Sequence, residues 1–517
     1  MSSVNKKLNR RDVIRGGTSM LGAALLGGTA SRFALANNHP HPHQHSLDYL
    51  DPATYIDKVE VHHHLETPWG RGGKSQMMTK GKQRFLLNAG KVWDVTDALH
   101  PELISDGAFI GNQIQLAWSN SAGKWILMTG AAPPPTSATP EAPHGKYDDP
   151  RLIDNARYHA GLRGVRLYDA TDPANIRLLS KWSCDQGDPD RAVQTGGGTH
   201  RNYYDGGRYA YLDASPDNSF INMESGVRLY TNGLQIIDLA DPAQPKFVSN
   251  WWFPGQRAGE GRAYRQWREF GDRSSFTAAH GAFYVPKRVE DGGRYAYCSY
   301  GSFGMTVHDI SNPAEPKLVS QWQPPYLPGA IPFHTADVSL LDRGIVIGTS
   351  ETLNPDCNEP FHDNYVLDMS DLEHPKPIAS FGRWVTPPDA PYDDYCNKRG
   401  RYGTHNPPHL KAPGKRHRSF GAYAAFNAGF QFMDFSDPAK PKADGYFIPP
   451  SGGDLSKRGS YTRIGDGLFV EWDRRLIWAM ADSGVYLLSH PSLGKPDFSP
   501  SAVKEWTMDG LNVGAAY

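Results

Sequence analysis

Seven segments of this 517-residue chain repeat one pattern: an apolar strand, then roughly D-x-[ST]-[DN]-P-x-x-P-K, then a second strand. The copies are "GKVWDVTDALHPELIS" from Gly90, "GVRLYDATDPANIRLLSKW" from Gly164 and "GLQIIDLADPAQPKFVSNW" from Gly233. They continue with "GMTVHDISNPAEPKLVSQW" from Gly304, "NYVLDMSDLEHPKPIASFGRW" from Asn364 and "GFQFMDFSDPAKPKADGYF" from Gly429, and end with a degenerate "GVYLLSHPSLGKPDFSP" from Gly484. A supersecondary unit of this size cannot bury its apolar face alone, so successive copies must stack on one another.

Local chemistry says what each copy is. Leu234 and Ile236 stand two apart, as on the buried face of a strand. Asp238 and Asp241-Pro242 then turn the chain, the carboxylate bonding nearby amides and the proline presetting φ. Upstream, the heptad "DGGRYAY" occurs at 205–211 and again at 291–297, where Asp-Gly-Gly reads as a further hairpin turn. Each unit is therefore four antiparallel strands. Seven units predict an all-β chain, a seven-bladed β-propeller of four-stranded antiparallel blades, in which circular closure hides most sheet edges. The 53 glycines, 41 prolines and 11% aromatic content agree with many short strands joined by turns. Copies start 55–74 residues apart, longer than the ~40–50 of compact propeller repeats. The excess falls in loop insertions at 130–150, 253–275 and 386–405, and long loops on a rigid scaffold are where function concentrates.

The "LQIIDLADPAQPKFVSNW" type of segment resembles the LVIVD repeat of bacterial β-propeller proteins, over roughly residues 60–500. That resemblance implies the fold and leaves the activity open, since propellers host many functions. The expected organisation is a signal peptide at 1–36, a His/Pro-rich tail at 37–58 and a single propeller domain at 59–517. The C-terminal "EWTMDGLNVGAAY" is expected to close the ring against the first blade, with Trp506 as an apolar anchor.

Residues 1–36 carry "NRRDVIRGG" with Arg10 and Arg11, a short apolar run, and "SRFALA" ending in a small-x-small pattern. This resembles a twin-arginine export signal cleaved after Ala36, which implies the twin-arginine export machinery as a partner and a periplasmic destination. No later segment approaches 18 apolar residues, so no stable membrane anchor is expected. A net charge of −1, without basic tails or zinc-finger spacing, argues against nucleic acid as a partner. Of four cysteines, Cys357 and Cys396 lie in loop-like text where they could pair, while Cys298 reads as a buried strand residue.

The repeat register also aligns the histidines. His200, His280, His334 and His405 each precede their D-x-[ST] hairpin by a similar interval, at the start of what should be the innermost strand of four consecutive blades. Innermost strands line the central channel, so these imidazoles are expected to converge at one level near its mouth. "VEVHHHLETPW" adds His62, His63 and His64, with His63 facing the opposite side from its neighbours. Any one of these histidines has an ordinary reading as a turn cap; four at equivalent positions point to a metal. The expected ligands are His200, His280, His334, His405 and His63, and the expected ion is iron or copper, with zinc as a further option.

Asp337, Glu351 and Glu471 are expected to orient ligands or take part in catalysis. Arg201, Tyr203, Tyr204, Tyr284 and Asn406 are expected to face substrate. The arrangement is similar in architecture to the carotenoid-cleavage oxygenases, whose axial iron is held by four histidines, and to the copper-associated selenium-binding type of propeller. Neither family's sequence motif is present. The expectation is a metal-dependent oxidase or oxygenase acting on a small aromatic or apolar molecule. The alternatives are a lyase, isomerase or hydrolase in the same channel, with a histidine as general base and Arg201 stabilising an anion, or a non-catalytic periplasmic scaffold.

Overall fold

In the computed structural model the described residues are 53–66, 75–132, 161–191, 194–220, 232–257, 260, 278–325, 327, 331–352, 357–398, 400–450 and 465–506. The signal-like segment, residues 37–52 of the expected tail, most of the insertions at 130–150 and 253–275, and residues 507–517 lie outside them.

The strands form seven blades around one ring. Blade 1 comprises Gln76–Lys80, Gln83–Asn88, Lys91–Asp94 and Glu102–Ser105. Blade 2 comprises Asn112–Ser119, Lys124–Ala131, Gly164–Asp169 and Arg177–Ser183. Blade 3 runs through Gly198–Thr199, Tyr209–Ser215, Gly233–Asp238 and Lys246–Trp251. Blade 4 pairs Tyr295–Ser299, Met305–Asp309 and Lys317–Trp322. Its inner edge is the 280–284 stretch, joined by the His280 amide to the Ser299 carbonyl and by a Tyr284–Tyr297 bridge. Blade 5 comprises Ile331–Leu340, Ile345–Glu351, Asn364–Asp368 and Lys376–Phe381. Blade 6 comprises Tyr402–Asn406, Phe420–Phe426, Phe430–Asp434 and Lys442–Ile448, and blade 7 is built on Gly465–Glu471, Leu476–Ala481 and Gly484–Ser489.

The repeat's acidic turn works as its chemistry requires. Asp238 Oδ1 accepts from the Ala240 amide at 2.8 Å and Asp241 Oδ1 from the Ala243 amide at 2.9 Å. Asp94, Asp169, Asp309, Asp368 and Asp434 make the first of these bonds in their own blades. Each fixes a third-to-fourth-strand turn through a local side-chain bond worth about 1 kcal/mol. The Asp-Gly-Gly turn of blade 3 has a second constraint. Gly206 has φ +86°, and a Cβ there would stand 1.9 Å from the Trp118 carbonyl oxygen, so only glycine lets blade 3 seat against blade 2.

The core lies between blades. Ala117, Ile126 and Leu167 of blade 2 meet Ala210, Leu212 and Ile237 of blade 3 in one buried cluster. Leu340, Ile347 and Val366 of blade 5 meet Tyr423, Ala425 and Phe435 of blade 6 in another.

Of the C-terminal segment expected to close the ring, only Glu505 and Trp506 are among the described residues. The closing strand comes from the N-terminal side: Glu60–Leu65 pairs antiparallel with Gly484–Ser489 and becomes the outermost strand of blade 7. Tyr55–Asp57, placed in the tail by sequence, adds to the outer edge of blade 6 by pairing with Lys442–Ile448. His62, His63 and His64 are therefore on an outer strand and not on the innermost strand of a first blade. Trp506 does anchor the C-terminal side. Its amide donates to Thr79 Oγ1 at 2.8 Å and its ring packs 5.9 Å from that of Trp125, between blades 1 and 2. The seam between blades 7 and 1 is held by charge: Arg84 bonds both Glu471 and Asp473, and Arg474 also grips Glu471.

One segment crosses the channel. After Asn406 the chain leaves the inner strand of blade 6, and Lys411 Nζ reaches the carbonyls of Leu116 in blade 2 and Tyr204 in blade 3. Blades 2 and 3 stand across the ring from blade 6. The buried run 407–412 thus floors the channel before Pro413 returns to accept from the Trp472 amide of blade 7 at 2.9 Å.

Candidate metal centre at the channel mouth

Antiparallel register sets the level of the site. Ile331 pairs with Glu351 in blade 5, so the start of one strand and the end of the next lie at the same end of the blade, beside His334. The glycines before His200 have a physical reason. Gly198 has φ +77°, and a Cβ there would lie 2.4 Å from the Ala131 carbonyl oxygen of blade 2. Only a glycine lets the short inner strand pass that close and deliver His200 to the channel.

The four inner-strand histidines form a continuous row. Ring centroids are 4.6 Å apart for His200–His280, 4.8 Å for His280–His334 and 4.7 Å for His334–His405. His280, His334 and His405 are buried, and His200 is half-buried at one end of the row.

Glu351 sits among them. Its Oε2 is 3.0 Å from His280 Nε2 and 3.3 Å from His334 Nε2, and its Oε1 is 3.6 Å from His405 Nε2. Arg401 Nη2 donates to Oε1 at 2.6 Å, and the Arg401 Nε donates to the Thr352 carbonyl at 2.6 Å. Burial pushes the Glu351 carboxyl upward, but Arg401, His405, His334 and the His280 bond outweigh it and hold the group well below the ordinary range. Burial, helped by the Arg201 guanidinium, keeps His334 neutral, its pKa driven well below the usual histidine value despite Glu351. His334 Nδ1 is engaged by the Thr335 hydroxyl at 2.8 Å, while its Nε2 has no hydrogen-bond partner. A neutral ring anchored at Nδ1, with a buried Nε2 that makes no hydrogen bond and stands 3.3 Å from Glu351 Oε2, is oriented as a metal ligand is. His280, His334 and Glu351 bring one donor atom each to within 4.8 Å of one another.

The other expected site residues separate into two groups. Arg201 joins the cluster: its Nη2 is 3.2 Å from His405 Nε2, and its Nη1 donates to Asn406 Oδ1 at 2.9 Å. His63, Asp337, Tyr204, Tyr284 and Glu471 do not. His63 is opposite Leu487 on the outer strand of blade 7, where the chain enters the ring from its N-terminal side. Asp337 turns to the Ser339 amide at 2.9 Å and towards Arg416 at 3.9 Å. Tyr204 packs in the apolar cluster between blades 2 and 3. Tyr284 packs edge-on against Tyr203 at 5.7 Å in the blade 3–5 cluster, and the Tyr203 hydroxyl is spent on the Val285 carbonyl. Strand alternation turned these tyrosines into the inter-blade core. Glu471 belongs to the ring seam.

Sequence reasoning missed Arg401 and Lys411. Arg401 stands four residues before His405 in "GRYGTHNPPHLK", so proximity to an aligned histidine could have flagged it. Lys411 carries no local signal, because its partners lie across the ring. Cys357 and Cys396 are disulfide-bonded with Cα atoms 5.4 Å apart, which ties the loop after Glu351 to the 386–405 insertion. Cys184 and Cys298 are buried and free.

The LVIVD repeat family matches residues 229–251 and 288–323, in blades 3 and 4. The chain is a seven-bladed β-propeller scaffold carrying LVIVD repeats. No curated protein matches it. Among solved structures it is similar to Chaetomium thermophilum Raptor, at 11% identity and a TM-score of 0.40, covering 83% of this chain and 29% of that one. It is also similar to the Myceliophteria thermophila Cps50 (Swd1) β-propeller domain, at 9% identity and a TM-score of 0.43, covering 83% and 99%. Neither similarity bears on activity.

Proposed function

We propose that the mouth cluster holds one transition-metal ion and that the protein is a metal-dependent oxidoreductase acting on a small organic substrate. The observation that carries this reading is the convergence of His280, His334 and Glu351, with the His334 Nε2 left without a hydrogen-bond partner. Two histidines and a carboxylate are the donor set of non-haem iron oxygenases, which favours iron over copper or zinc here. His200 and His405 flank the set and complete a nitrogen-rich surround. When bound, the ion supplies redox chemistry with dioxygen. The chain's own contributions are separate: Thr335 fixes the His334 ring, Arg401 keeps Glu351 ionised, and Arg201 supplies positive charge beside His405 for a polarised substrate oxygen. The floor formed by residues 407–412 supports entry of substrate from the histidine end. The twin-arginine-like N-terminus supports export to the periplasm through that machinery.

The test is anaerobic reconstitution with Fe(II), followed by dioxygen-uptake measurements against a panel of small aromatic and apolar compounds. Uptake coupled to loss of one compound, absent from His280→Ala, is expected. An iron-loaded protein that consumes no dioxygen with any compound would remove the oxidoreductase reading, leaving the non-redox and scaffold alternatives.

A further inference from the structure

A second group of unpartnered polar side chains lies at the opposite end of the inner strands, beside the turns that follow the inner strands of blades 6 and 7. Arg416 is buried, with side-chain exposure of 5%, yet its Nε and Nη1 have no hydrogen-bond partner. Its guanidinium lies over the Trp472 ring, 5.2 Å from the centroid. The buried Trp472 Nε1 is likewise unpartnered, as is the hydroxyl of Tyr423, a fully buried neighbour within electrostatic reach of Arg416. Native proteins leave few such groups unpaired, so several side chains lacking partners in one place call for a ligand or ordered solvent.

The missing partner has a definable chemistry. Arginine and the indole N–H are donors only, and the phenol can donate. The group they lack is therefore an acceptor. Arg416 and Trp472 line a cavity of about 530 Å³ whose rim carries Lys415, Arg475 and Lys504. The opposing carboxylates are Asp473, Glu505 and Asp337. Asp473 is already bonded by Arg84 through both oxygens at 2.9 Å, Glu505 is exposed at the rim, and Asp337 comes no nearer than 3.9 Å to Arg416. Charge at the cavity is thus positive on balance.

We propose that this cavity is a binding site for a small oxyanion, a carboxylate or a phosphate, gripped by Arg416 and Trp472 with Tyr423 behind them. It is separate from the mouth cluster, and it stands whether or not that cluster holds a metal. The oxyanion would bond residues of blades 6 and 7 through one ligand and so stiffen the ring next to its seam.

The experiment is thermal unfolding and calorimetric titration of the full chain with sodium acetate, sodium phosphate and sodium chloride at constant ionic strength. Saturable, one-to-one binding of acetate or phosphate with a rise in Tm is expected; which of the two saturates identifies the carboxylate or the phosphate as the ligand. Arg416→Met should weaken it at least tenfold. Should that variant fail to fold, Trp472→Phe and Tyr423→Phe each remove one donor and should each raise the half-saturation concentration several-fold. Tm shifts that do not saturate, that chloride reproduces, or that all three substitutions leave unchanged would overturn the proposal.

Discussion

Two carboxylates lie buried among cations in this ring, and they are built differently. Glu471, at the seam of blades 7 and 1, is saturated. Arg84 and Arg474 hold it, the Trp478 indole donates to its Oε2 at 3.2 Å, and Arg474 is further fixed by the carbonyls of Val95 and Thr96. Its partners are permanent cations. Glu351, at the mouth between blades 4 and 6, has one permanent cation, Arg401, and otherwise faces imidazoles, one of which, His334, stands 3.3 Å away through a nitrogen that makes no hydrogen bond. A carboxylate whose oxygens are held by arginines and an indole, with no imidazole beside it, is a fastener, even with the Arg84 Nε left unpartnered. A network that concentrates metal-binding donors and leaves one of them without a hydrogen bond has the make-up of the site proposed above.

The largest expected effect separates the two on stability. Removing one partner of a buried ionic network leaves uncompensated charge and costs about 3–5 kcal/mol. Glu471→Ala should therefore lower the midpoint of chemical unfolding severely. Glu351→Gln keeps its volume and should unfold closer to wild type in metal-free buffer while losing metal affinity. Equal destabilisation by both would erase the distinction.

Breaking the Cys357–Cys396 bond is the next largest. Paired Cys→Ser substitution should cost about 2–4 kcal/mol by loosening the unfolded-state constraint on a 39-residue separation. Because that bond frames the mouth loops, proteolytic sensitivity should rise there and not at the seam.

A smaller effect follows from pH. Glu471 is held below the ordinary carboxylate range; burial opposes this, but Arg474 and Arg84 prevail. A depressed folded pKa contributes stability that is fully present above the unfolded value, and is lost as pH falls through the folded one. His308 acts in the same direction for a different reason. Burial alone lowers its pKa to about 3, so below ~6.5 the unfolded chain takes up a proton that the folded chain refuses. His308→Phe should flatten the loss of stability between pH 6.5 and 3, as read from urea midpoints. An unchanged slope would show that His308 is not neutral in the folded protein.

The contrast also marks what could be read in advance. The blades were legible because a strand–Asp–turn–Pro–strand unit is local chemistry repeated seven times. The histidine row was legible because repeat register converts sequence position into blade position. The glycine before His200 has a reason only in three dimensions, the close approach of the Ala131 carbonyl. Glu351 was placed near the channel, but its central position comes from pairing with Ile331, which no pattern in either strand announces. Tyr204 and Tyr284 were misassigned because aromatic alternation does not say whether a face meets the channel or the next blade. The closing role of Glu60–Leu65 was missed because ring closure can draw on either chain end, and His63 was misplaced with that strand.

The most direct measurement is metal content. Wild-type chain and the His280→Ala/His334→Ala variant, both shown to be folded, would be incubated with Fe(II), Cu(II) and Zn(II) separately, desalted and analysed by inductively coupled plasma mass spectrometry. Close to one ion per wild-type chain is expected, with iron retained, and near-background metal in the variant. A folded wild-type protein that retains none of the three ions, or a variant that retains as much as wild type, would contradict it.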